Sequence, residues 1–141
     1  MSTFDSLAAR AGLLVAAVVV TAVVALLLRR RDGRATPVRD GEVLAPADLG
    51  QPLGERATLV QVSARVCGQC TTLRRVLASI AAQEPGVAHV EVLAEDRLDL
   101  VRRLDVVRTP TLLVLDGDGR VRMRAGGVPE RARIEAAVVG S

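Results

Sequence analysis

The longest apolar stretch of the chain runs from Ala11 to Leu28, AGLLVAAVVVTAVVALLL, eighteen residues with no charge and only Thr21 polar. That reaches the lower length limit of a bilayer-spanning helix, and Leu7 to Ala9 extend it past Arg10. A buried helix of a soluble domain normally carries a polar stripe, and this one has none. A cleaved signal peptide needs a shorter apolar core and a small-residue cleavage site. Here the run ends in Leu26-Leu27-Leu28 and then Arg29-Arg30-Arg31. The pattern predicts an N-terminal tail and a retained transmembrane anchor over residues 1–28.

Beyond the anchor the pattern changes twice. Residues 29–44 are arginine-rich, hold Gly33, Pro37 and Gly41, and show no apolar period, which predicts a juxtamembrane linker. A folded domain is then expected over 45–141, its entry from Ala45 to Leu53 weakly structured. Thr58 to Ser63 (TLVQVS) is compact and β-branched, a strand. Leu73, Val76, Leu77, Ile80 and Ala81 recur at helical spacing, with Arg74, Arg75 and Gln83 on the opposite face, until Pro85-Gly86. Val87 to Leu93 is a second strand, and Leu98, Val101 and Leu104 predict a short helix over 97–104. Thr111 to Leu115 is a continuous apolar strand, Asp116-Gly117-Asp118-Gly119 a turn, and Arg120 to Arg124 the alternating return strand of a hairpin. Pro129 opens a last helix through about Val139. This order, β-α-β-α-β-β-α, predicts an α/β domain with a mixed sheet and helices on both faces.

Composition narrows the picture. Phe4 is the only aromatic residue, so the core must be built from Val, Leu, Ile and Ala. All 19 basic residues are arginine, which with abundant Ala, Val and Gly matches the coding bias of a GC-rich bacterium. The net charge of +3 is modest, and no basic stripe is interleaved with aromatics, so nucleic-acid binding finds no support. Arg29, Arg30, Arg31, Arg34 and Arg39 follow the anchor, against Arg10 and an amino terminus offset by Asp5. Positive charge resists translocation, so the domain is expected on the cytoplasmic side, with the extracellular face as the alternative.

Two cysteines, Cys67 and Cys70, are separated by Gly68 and Gln69 where a strand has ended and a helix is about to begin. Free N–H groups and aligned peptide dipoles at a helix start favour an anion and lower a thiol's pKa. One turn on, Cys70 returns to the same side of the backbone. The pair suits thiol–disulfide exchange, with Cys67 attacking and Cys70 resolving the mixed disulfide. Between Arg56 and Gln83 stand four arginines, Arg65 among them, and no acid, a background that favours thiolate. A structural zinc site needs four ligands where the chain offers two cysteines and His89, and covalent haem needs His where Thr71 stands. No metal is expected. His89 reads as a strand or loop histidine without an identifiable partner, Met123 as packing, and Arg102-Arg103 as a solvated helix face.

From Thr58 to about Val128 the chain resembles the thioredoxin family, and small membrane-anchored members of it in particular. The strand–Cys67-Gly68-Gln69-Cys70–helix unit matches the family's redox motif, Thr109-Pro110 its cis-proline loop, and Gly126-Gly127 its glycine turn. The resemblance implies that Pro110 is cis and faces the cysteines, with Thr109 offering backbone groups to a substrate. It also shows departures: Val66 replaces the usual tryptophan, Gln69 the usual proline, and Gln61 a buried carboxylate that helps move a proton off the second thiol. Glu91 stands where a basic residue is common, leaving water or Glu91 itself to accept that proton.

The expected function is a membrane-tethered thiol–disulfide oxidoreductase. Its site is Cys67 and Cys70, with Thr109 and Pro110 facing the substrate and Gly68, Gln69, Arg65 and Gln61 tuning the pair. It needs no dissociable cofactor. Its partners would be a disulfide-containing protein or small molecule and an electron donor or acceptor, either reductase-like or a membrane redox protein. The alternative is a redox-inactive module that presents the same fold to a membrane partner.

Overall fold

The computed structural model describes every residue except Met1, Asp32 and Asp40, and all side chains among those except residues 2–7 and Arg31. The charges of Asp5 and Arg31, which enter the orientation argument, thus lie outside the described residues. The chain divides into two compact units, Met1–Asp32 and Gly33–Ser141. The first is one helix, α1 (Ser2–Arg31). Within it Ala8–Arg30, 23 residues holding an 18-residue window of mean hydropathy 2.9, is long and apolar enough to cross a bilayer, a test that a signal sequence also passes.

The second unit holds β1 (Ala35–Pro37), α2 (Pro46–Leu49), β2 (Ala57–Ser63), α3 (Gly68–Gln83), β3 (Val87–Leu93), α4 (Leu98–Arg103), β4 (Thr111–Asp116), β5 (Val121–Gly126) and α5 (Arg131–Val139). The strands form one sheet in the order β1-β5-β4-β2-β3. Only β2 and β3 run parallel; the β2–β4, β4–β5 and β1–β5 pairs are antiparallel. This is the mixed α/β sheet expected from the pattern.

Two apolar layers cover the sheet. Leu59, Leu112, Val114 and Ala125 pack with Leu73, Leu77 and Ile80 of α3 and Ile134 and Val138 of α5. On the other face Val60, Val90, Val92, Leu113 and Leu115 pack with Leu49 of α2 and Leu100 of α4. Each fully buried leucine contributes about 1.5–3 kcal/mol, and every residue of β2 is buried because both its faces are covered.

The stretch 29–44 differs from the expected linker. From Gly33 onward it joins the domain: β1 pairs with β5 through Ala35↔Ala125, Thr36↔Arg124 and Pro37↔Met123. Leu44, fully buried, donates its N–H to Gly119 O at 2.8 Å. Three residues are too few to show a period, and a proline is compatible with an edge strand. The partner strand, not the local pattern, makes this element. Arg103, expected as part of a solvated face, instead pairs with Asp48 at 2.8 Å and with Glu42. That guanidinium, with the N–H of Ala45, lowers the Asp48 carboxyl to about 2.

Candidate active site

β2 delivers the chain to residues 64–66 and then to Cys67, which is extended (φ −154°, ψ 103°) and immediately precedes α3. No side chain caps that helix start and no acid lies in its first turn, so nothing local on the helix offsets the positive field of its free N–H groups. Cys67 and Cys70 form a disulfide, S–S 1.97 Å and Cα–Cα 5.4 Å. Their surroundings differ. Cys67 is half-buried beside Val66, which is 96% exposed, whereas Cys70 is 2% exposed. Gly68 and Gln69 are exposed between them.

Behind Cys70 lies a polar network on an otherwise apolar face. Gln61 is fully buried; its Nε2 donates to the Cys70 carbonyl at 2.8 Å and to Ser63 Oγ at 2.9 Å. Its Oε1 lies 3.2 Å from His89 Nε2. An amide oxygen only accepts, so His89 carries its hydrogen on Nε2 and donates. Ser63 Oγ donates to Glu91 Oε1 at 2.7 Å, and Arg74 grips both Glu91 oxygens at 2.7 Å. The guanidinium holds the Glu91 carboxyl below its ordinary range. Burial pushes the His89 imidazole below its ordinary value, with Glu91 opposing. The register Leu59↔His89 and Gln61↔Glu91 between β2 and β3 puts all four strand residues on the α3 side.

His89 thus has a partner that the linear sequence concealed. The available signal was the period of two: Gln61 and Ser63 on one predicted strand, His89 and Glu91 on the next. Arg65 is placed differently from expectation. Its guanidinium pairs with Asp96 at 2.6 Å and its N–H with Glu95 Oε1 at 3.0 Å. Arg56 pairs with Glu84 and Arg74 with Glu91. Acids from outside the segment therefore offset much of the positive field reckoned from residues 56–83 alone.

The Thr109–Pro110 peptide is cis. Pro110 is buried and Thr109 half-buried. β4 starts next to them, Thr111 pairing with Val62 near the end of β2, so this loop and the cysteine loop leave the sheet at the same end. Pro110 O accepts the N–H of Gly127, whose φ of 82° is a conformation glycine adopts without strain.

A mixed sheet with a dithiol pair at the mouth of its first covered helix and a cis proline at the same sheet end defines a class, the thioredoxin-like redox domains. The sequence profile described as Thioredoxin matches residues 47–139, and the chain belongs to the thioredoxin family. No curated protein matches it in sequence. Among solved structures it is similar to the oxidised mitochondrial thioredoxin 3 of Saccharomyces cerevisiae, at 18% identity over 62% of this chain and 80% of that one, TM-score 0.54. Thioredoxin NaTrxh from Nicotiana alata is 22% identical over 61% and 73%, TM-score 0.54. Fasciola hepatica thioredoxin is 20% identical over 62% and 82%, TM-score 0.54. Such identities carry the fold alone. Family membership and the Cys67–Cys70 pair together make this chain a thiol–disulfide oxidoreductase.

Proposed function

We propose that the protein is a membrane-tethered dithiol oxidoreductase in which Cys67 attacks and Cys70 resolves. The carrying observation is the asymmetry of the pair: Cys67 is half-exposed at the start of α3, while Cys70 is 2% exposed one turn later. In the reduced form the Cys67 thiolate, favoured by the helix N–H groups, attacks one sulfur of a substrate disulfide. The substrate S–S bond breaks, and its other sulfur leaves as a thiolate that takes a proton. Cys70 then gives up its proton and attacks Cys67 Sγ, which forms the intramolecular disulfide and releases the second substrate thiol. Two electrons pass to the substrate, with one proton from Cys70 and one from solvent, and the oxidised pair is restored by an electron donor. Run backwards, with an acceptor, the same steps oxidise a dithiol.

Thr109 and Pro110 form the substrate-facing loop, and exposed Val66 offers apolar contact beside the attacking sulfur. Gln61 holds the Cys70 carbonyl. α1 serves as the anchor and the arginine-rich exit from it keeps the domain cytoplasmic. The substrate is a disulfide in a protein or small molecule, the electron partner is reductase-like or a membrane redox protein, and no dissociable cofactor takes part.

The test is a Cys70→Ser form of the full chain expressed in cells. It is expected to accumulate mixed disulfides through Cys67, released by dithiothreitol, while Cys67→Ser accumulates none through that route. A Cys70→Ser chain that traps nothing would favour a redox-inactive interaction module.

A further inference from the structure

A cleft of about 610 Å³ opens between β1, β5 and α5, built from residues that take no part in the dithiol chemistry. Ala35, Pro37, Met123 and Ala137 give it small and aliphatic walls, and Arg39, Arg122 and Arg133 stand around them. Among the described residues lining it there is no carboxylate. Two of these guanidiniums are only loosely paired: Glu130 is 3.9 Å from Arg133 Nε and Asp116 is 4.0 Å from Arg122 Nε. Arg65, Arg74 and Arg103, by contrast, each lie within 2.8 Å of an acid. Arg122 and Arg133 therefore retain donors for an outside anion.

Apolar walls beneath a ring of guanidiniums complement an anion that carries aliphatic matter, such as a phosphodiester with its glycerol and the first carbons of its acyl chains. Only residues 32–34 separate α1 from β1, a wall of this cleft. Arg29, Arg30, Arg31 and Arg34 at that exit form a juxtamembrane basic cluster of the kind drawn to anionic headgroups. Such a short tether to a bilayer gives the domain a high effective concentration of lipid.

We propose that this cleft binds the headgroup of an anionic phospholipid in the membrane that α1 spans, an inference that rests on the anchor reading above. The experiment uses the full chain in nanodiscs of phosphatidylcholine, with and without added phosphatidylglycerol, and follows amide hydrogen exchange in β1 and the last turn of α5. Exchange there is expected to slow only when phosphatidylglycerol is present. Arg122→Gln and Arg133→Gln should each weaken the dependence on phosphatidylglycerol content on the order of fivefold, with the rate of insulin-disulfide reduction unchanged. Identical exchange in the two discs, or an undiminished lipid dependence in the double variant, overturns the proposal. So does equal protection by free glycerol phosphate over phosphatidylcholine, which would reassign the cleft to a soluble anion. A chain that washes off both kinds of disc overturns the anchor as well, which separates that failure from a failure of the cleft alone.

Discussion

Replacing Gln61 by leucine tests whether the network behind Cys70 is a strut or a bystander. The substitution keeps approximate volume and removes three hydrogen bonds, to the Cys70 carbonyl, to Ser63 and from His89. Ser63 keeps Glu91 as the acceptor for its hydroxyl. The Cys70 carbonyl lies inside α3 and keeps its intrahelical donor. His89 is half-buried, so water reaches its freed N–H. The orphan penalty is therefore small, and the loss is close to the net worth of three bonds, about 1 kcal/mol each. Burial of the leucine side chain returns about 1.5 kcal/mol. The balance is a destabilisation of about 1.5 kcal/mol, or a fall of about 0.5–1.5 M in the urea midpoint. The chain has no Trp or Tyr, so far-UV circular dichroism of the full chain in detergent is the assay. His89→Leu removes one of the three bonds, and a double-mutant cycle of the two should return a coupling of about 1 kcal/mol. A Gln61→Leu midpoint equal to or above the parent's would refute the reasoning, because the amide would then be replaceable by plain packing.

Two further outcomes are expected. The His89 imidazole is held below its ordinary value of 6.5 in the folded chain, mainly by burial. The unfolded chain then binds the proton more readily, so the stability present above that value is lost as the pH falls through it towards the folded pKa. Urea midpoints taken from about pH 8 down to about pH 5 should decline, and His89→Gln should flatten the decline. Leu44→Ala, in the segment expected to be linker, should cost about 2–5 kcal/mol as a buried-leucine deletion; a midpoint shift near zero would detach residues 33–44 from the domain.

The parts of the fold legible in the sequence were those whose cause is local. The α3 stripe of Leu73, Leu77 and Ile80 shows its period, the Asp116–Gly119 turn carries its own chemistry, and Cys67 and Cys70 are three residues apart. What stayed hidden has its cause elsewhere in the chain. β1 has three residues and exists because β5 offers it an edge. The His89–Gln61 contact spans 28 positions, and the acid that pairs with the Arg65 guanidinium arrives 31 residues later. A count of charge along a segment cannot see partners that only the sheet register brings in.

Gly126 and Gly127 sit side by side at the end of β5 and look in two directions. The carbonyl of the first receives the N–H of Gly33, where the polypeptide enters the domain, and the N–H of the second is given to Pro110. One peptide unit thus links the entry of the domain at Gly33 to the cis-proline turn. Displacing that peptide would therefore disturb the domain's entry and its cis-proline turn together.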